Sequence, residues 1–349
     1  MEDSMSLCRV CLFSLFLAMT SLAHAQPSAE WRASSPAEQV LDAAAFKGLD
    51  TTIAAELGDV QSVVVVLRGR TVFEYYRDGN PTALRDVHSV AKSALSALVG
   101  IAAGQGLIGS LDQPVLALMP EWRALNSDPR TASITVRHLL TMTAGFGVND
   151  PTGTASAGRP VDTWARPLHS EPGTAFAYDN ALIPMLTSVL ERATGMPLAD
   201  YARQQLVTPL MFAEPSYSRG LALRTLDMAK LGQLFLQGGT WGGQQVVPQA
   251  YVAAATQSQN AGGPPVSLPY GYMWWVVPSR ALRHTFMASG FGGQFIWVYP
   301  PLDLVMAITS TASPDSANRA QALKLIRGRL FAAAQKRLAN EPGAPARAP

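Results

Sequence analysis

Residues 89–101 read Ser-Val-Ala-Lys-Ser-Ala-Leu-Ser-Ala-Leu-Val-Gly-Ile. From Val90 to Ile101, apolar or small residues lie nearly all round a helical projection, the pattern of a helix buried within a domain. Ser89 and Lys92 are three residues apart, so a helix sets hydroxyl and amine on one face and within reach of each other. A serine becomes a nucleophile when a base stands beside it, and a lysine fills that role if its surroundings keep it neutral. Desolvation in this helix and the positive helix N-terminus both act in that direction. The stretch reads as the nucleophile segment of a serine hydrolase.

Upstream, residues 62–67 (SVVVVL) read as a strand buried on both faces, turning at Arg68-Gly69 into a second strand, Thr71 to Arg77. A helix is expected around Leu49 to Leu57, with a loose lead-in over 26–40. Downstream, residues 134–143 read as a helix opened by a threonine cap, and Ala144 to Pro160 as a glycine- and proline-rich surface loop near the site. Tyr178-Asp179-Asn180 follows Pro172-Gly173-Thr174 and so falls in a loop just before a helix from Leu182 to Thr194. A further helix is expected over 225–238. Tyr270 to Val277, Gln294 to Tyr299 and Leu304 to Thr311 read as strands, and Ser316 to Leu338 as one final amphipathic helix. Ala288-Ser289-Gly290-Phe291 leads into the second of these strands. Small residues on an edge strand allow a substrate carbonyl close to the backbone. The peptide N–H groups of Ser89 and Phe291 are the candidate oxyanion donors.

Composition narrows the alternatives. The chain has 349 residues, 48% hydrophobic and 15% charged, with a formal net charge of +2. Its basic residues are scattered, so neither nucleic acid nor an anionic membrane is an expected partner. Arg9, the apolar run from Val10 to Leu22, and Ala23-His24-Ala25 have the form of a secretory leader cleaved after Ala25. Residues 1–25 are therefore expected to be a signal peptide and the mature protein periplasmic or secreted, without stable membrane insertion. Both cysteines, Cys8 and Cys11, fall in that leader, which leaves no disulfide framework, thiolate nucleophile or cysteine metal site. His88, His138, His169 and His284 form no close-spaced cluster, so no metal is expected, and no cofactor. Trp164, Trp274, Trp275 and Trp297 are expected in core packing rather than against substrate. The absence of a Gly-x-Ser-x-Gly elbow disfavours a Ser-His-Asp hydrolase. Residues 340–349 read as a disordered tail, and the oligomeric state is not legible.

Taken in order, Ser89-Val90-Ala91-Lys92, Tyr178-Asp179-Asn180 and Ala288-Ser289-Gly290 resemble the three motifs of the serine beta-lactamase and penicillin-binding-protein superfamily. The Tyr-x-Asn form is similar to the class C branch, with its family VIII carboxylesterases and 6-aminohexanoate-dimer hydrolases. The likeness runs from about Gln61 to Thr311 and includes residues 134–145 (ITVRHLLTMTAG), 172–180 (PGTAFAYDN), 270–275 (YGYMWW) and 288–294 (ASGFGGQ). It implies an α/β fold of the beta-lactamase/DD-peptidase type over 26–339: an antiparallel sheet flanked by helices, from about 46–85 and 219–338, and a largely helical insertion, about 86–218. It also implies an acyl-enzyme on Ser89, with Lys92 and Tyr178 sharing its proton. Asn180 would position substrate and Lys92, and Ala288, Ser289 and Gly290 would flank the substrate. Where lactamases and peptidases of the superfamily carry a lysine or histidine facing the substrate carboxylate, this chain has Ala288. A missing charge-assisted hydrogen bond is worth roughly 1.5–3 kcal/mol, or about 10- to 150-fold in binding. The expectation is an exported hydrolase of small esters or linear amides. A beta-lactamase or D-amino-acid peptidase is the alternative, and a non-turnover penicillin-binding sensor a further one.

Overall fold

The computed structural model describes residues 32–333, apart from positions 40, 42, 148–157, 219 and 280–283. The expected leader, the tail and most of the Ala144–Pro160 loop therefore lie outside the described residues. Helix α1 (Leu49–Glu56) leads into strands β1 (Val60–Leu67) and β2 (Arg70–Tyr76). Helices α2 (Ala91–Gly104), α3 (Leu182–Thr194) and α4 (Thr225–Leu236) follow. Strands β3 (Asn260–Gly263), β4 (Leu268–Tyr270), β5 (Trp275–Val277), β6 (Thr285–Gly290), β7 (Gln294–Tyr299) and β8 (Leu304–Ser310) come next. Short helices α5 (Pro314–Arg319) and α6 (Gln321–Leu325) come after them.

The strands form one eight-stranded sheet in the order β2-β1-β8-β7-β6-β5-β4-β3, antiparallel at every pairing. β1 therefore joins the C-terminal strands across most of the chain, and the segment between β2 and α4 stands outside the sheet as a mainly helical insertion. The valine run of β1 is buried on both faces because β2 and β8 flank it while helices cover the sheet. Its one buried hydroxyl, Ser62, is satisfied by Thr225 of α4 and Thr309 of β8, each at 2.5 Å. Gly232 lets α4 lie close on the sheet. A Cβ there would come within 2.6 Å of Ile296 and 2.7 Å of Val305. At the other terminus, Arg319 donates to both oxygens of Asp59 at 2.7 and 2.6 Å, tying α5 to the start of β1.

Three local expectations change. The single strand expected over 270–277 is a hairpin: β4 ends at Tyr270, and β5 begins at Trp275 after a turn in which Gly271 N–H donates to the Trp274 carbonyl at 2.8 Å. Its continuous apolar run hid the turn, whose buried Tyr272 and Met273 carbonyls accept from α2. The single helix expected from Ser316 is interrupted at Ala320, where φ is +50°, so α5 and α6 have separate axes. Apolar periodicity survives such a change of axis, so it cannot report one. The helix within 134–143 is confined to Val136–Leu140, with Thr135 as its cap. It stops at Met142, which has φ +57°.

Candidate active site

Ser89 sits in a 3₁₀ turn, His88–Val90, immediately before α2. His88 takes a left-handed φ of +46°, and its own N–H is held by Asp86 Oδ1 at 2.8 Å. That strained residue sets the chain entering the helix and is the kind of local cost found beside functional groups. One turn on, Lys92 is 6% exposed. Its Nζ donates to Ser89 Oγ at 2.8 Å and to Asn180 Oδ1 at 2.8 Å. The amine also lies 4.9 Å from the centroid of the Tyr178 ring. Residues from the start of α2 and from the loop before α3 thus meet around one buried amine.

Helix α2 is polar along one stripe for a structural reason. Ser93 Oγ donates to the Met273 carbonyl and Ser96 Oγ to the Tyr272 carbonyl, each at 2.7 Å. These bonds dock α2 on the β4–β5 turn and satisfy carbonyls that no strand partner takes. Tyr178 is 9% exposed. It stacks on Trp275 at 5.7 Å with an interplanar angle of 21°, and meets Tyr270 edge-on at 6.3 Å. Burial, and then the neighbouring Tyr178, push the Tyr270 phenol well above its ordinary range, so Tyr270 remains a neutral wall beside Tyr178. Between Tyr178 and Asn180, Asp179 turns away into the protein. It accepts from Ala181 N–H at 2.9 Å and from the Arg166 guanidinium.

The third segment is strand β6. It is not an edge strand, since β7 pairs with it from Phe286 to Gly290 and β5 pairs with Thr285 to Met287. The pairing with β5 stops at Met287, however. Ala288, Ser289 and Gly290 keep only the β7 side paired, so a short free edge is left where small residues stand. A Cβ on Gly290 would lie 2.6 Å from the Val87 carbonyl. The strand end therefore backs directly onto the residues that carry Ser89. Alternation puts Ala288 with Gly290 on that face and Ser289 on the opposite one. Phe291 continues from there, its ring 6.0 Å from that of His88.

Ser89, Lys92, Asn180 and Phe291 line a cavity of about 690 Å³. Asp179, Tyr270 and Trp275 fall within family-like segments of the sequence, but their supporting roles, and Arg166 altogether, were not legible there, because each depends on a partner that only the fold brings alongside. Trp164, Trp274 and Trp297 are buried in packing.

The profile of the beta-lactamase family matches residues 49–330, and the chain belongs to that family. It is 26% identical over 324 residues to the 6-aminohexanoate-dimer hydrolase of Paenarthrobacter ureafaciens, covering 81% of each protein. To esterase EstB of Burkholderia gladioli it is 34% identical over 119 residues, 29% of this chain and 30% of the esterase. Among solved structures, EstCE1, described as a hydrolase with promiscuous acyltransferase activity, superposes with a TM-score of 0.66 at 17% identity. That match covers 84% of this chain and 100% of the other. The protein is a serine hydrolase of the esterase and amidase type within this family.

Proposed function

We propose that the protein is an exported hydrolase of small carboxylic esters or linear amides, acting through an acyl-enzyme on Ser89. The observation that carries this reading is the buried Lys92 amine held between Ser89 Oγ and Asn180 Oδ1 at 2.8 Å each. In the reaction, Ser89 Oγ forms a bond to the substrate carbonyl carbon and passes its proton to Lys92. The carbonyl oxygen takes up negative charge facing the peptide N–H groups of Ser89 and Phe291. The bond from carbon to the leaving oxygen or nitrogen then breaks, and the proton reaches the leaving group through Tyr178. Water adds to the acyl carbon by the same proton route in reverse, which frees the acid and restores Ser89. Asn180 holds the amine in line throughout.

The absence of a cation at Ala288 weighs against beta-lactams and D-alanyl peptides, whose carboxylate would be left without a partner there. Export rests on the leader-like residues 1–25. The test is hydrolysis of p-nitrophenyl acetate and butyrate by the mature protein and by Ser89→Ala, with nitrocefin alongside. Turnover that disappears in Ser89→Ala, with slow nitrocefin hydrolysis, is the expected result. A Ser89→Ala protein that keeps most of its activity would overturn the assignment.

A further inference from the structure

The cavity that Ser89 lines is larger than acetate or butyrate needs. Ala91, Ala94, Leu95 and Leu98 of α2 form one wall of it, and Leu206 and Val207 face it from the insertion. These α2 positions follow the spacing of a single helix face. That face is turned away from Ser93 and Ser96, which hold the helix to the β4–β5 turn. Of the polar lining groups, Asp86, His88, Ser89, Lys92 and Asn180 gather around the nucleophile, by chain adjacency and by the hydrogen bonds given above, and Thr187 and the phenol of Tyr217 are the others. Beyond them the wall is largely hydrocarbon. From Ser89 to Leu98 the helical path is about 14 Å. An extended aliphatic chain advances roughly 1.2 Å per bond, so this length takes up to about twelve carbons, and a chain of six to ten lies within it.

The lining bears on which part of the substrate enters. Tyr178, Tyr270 and Trp275 are not among the residues that line the cavity, while the Tyr178 ring centroid lies 4.9 Å from the Lys92 amine. A leaving alcohol or amine that takes its proton from Tyr178 departs toward a residue outside this lining, which assigns the cavity to the acyl group. Two aromatic residues at the cavity, Phe291 and Tyr217, are 36% and 42% exposed, an apolar rim that a hydrophobic ester meets before entry.

We propose that this cavity is an acyl-chain pocket and that the preferred substrates are esters of medium-chain aliphatic acids, of about six to ten carbons. The inference rests on the ester- and amide-hydrolase reading and narrows it. A 6-aminohexanoyl group, which ends in a cation, is a poor fit. The acidic side chain on the lining is Asp86, and it is engaged by the His88 N–H beside the nucleophile rather than waiting at the far end.

The experiment compares kcat/KM for p-nitrophenyl acetate, butyrate, octanoate and decanoate, using the mature protein and Ser89→Ala. Each methylene buried in the pocket is expected to raise kcat/KM by about two- to fourfold up to octanoate. Ala94→Phe, which fills the cavity near its entrance, should lower the octanoate-to-acetate ratio at least tenfold. Leu98→Trp, at the deep end, should depress decanoate before octanoate. Melting curves of both variants report folding. As a readout free of turnover, octanoate should raise the melting temperature of Ser89→Ala and acetate should not. Ser89-dependent activity that is highest on acetate and declines with chain length would overturn the pocket while leaving the hydrolase reading intact. So would a ratio unchanged in both cavity variants. Absence of Ser89-dependent turnover on every ester would overturn the ester-hydrolase reading itself.

Discussion

Asn180→Asp puts the proposed chemistry to a test that depends on charge alone. The Asn180 amide oxygen accepts from Lys92 Nζ at 2.8 Å, and aspartate replaces that group with an oxygen of nearly the same position and size but a full negative charge. Two unit charges about 4 Å apart at an effective dielectric near 20 interact by roughly 4 kcal/mol, an upper bound of about a thousandfold. If the Lys92 amine takes the Ser89 proton, a carboxylate beside it stabilises the charged amine in the resting site and blocks that step, so kcat/KM falls by about 100- to 1000-fold. Asn180→Ala is the control. It removes the acceptor without adding charge, so kcat/KM falls only by about 2- to 13-fold, the worth of an ordinary hydrogen bond. The assay is p-nitrophenyl butyrate hydrolysis at about pH 7.5, with circular dichroism to verify folding. An Asn180→Asp enzyme that folds normally and is no slower than Asn180→Ala would refute Lys92 as proton acceptor.

Other expectations follow from the support of the site. Arg166 and Asp179 form an ion pair with side chains only 14% and 8% exposed, so Arg166→Leu strands a buried carboxylate and should cost about 3–5 kcal/mol in urea unfolding. Adding Asp179→Asn should recover much of that, and a single variant within about 1 kcal/mol of the parent would contradict the burial argument. Half-buried His138 accepts the Thr135 N–H at Nδ1, closing the cap of the Val136–Leu140 helix, and burial holds its pKa below the ordinary value. The unfolded chain therefore takes up this proton first as pH falls, and native stability drains away from about pH 6.5 downward, until the folded-state value is passed. His138→Gln should flatten that part of the melting temperature's pH dependence, and an unchanged slope between pH 5 and 6.5 would rule His138 out as its source. Loss of p-nitrophenyl ester turnover in Ser89→Ala remains the first requirement for the whole scheme.

The antiparallel sheet with a helical insertion was legible because its signals are local or come from recognisable motifs. The valine run of β1 has a burial pattern few other elements produce, and Ser89 and Lys92 are fixed by helical spacing alone. Tyr178-Asp179-Asn180 was legible as a loop before a helix, and its resemblance placed it at the site. The β4–β5 hairpin and the break at Ala320 were not legible, because apolar periodicity measures burial and is blind to a change of chain direction that keeps the same face inward. Asp179 looked like a spacer between two motif residues. Only the approach of Arg166 made it a buried anchor.

The amino-acid order by itself determined which groups could react: a hydroxyl and an amine one helical turn apart on a chain segment with no exposed face. Tertiary structure alone decided what that pair faces. Ala94, Leu95 and Leu98 read as core, and a residue that packs against protein is chemically the same as one that walls an empty cavity. The difference lies in whether another segment fills the space opposite, and that depends on the approach of residues more than a hundred positions away in the chain.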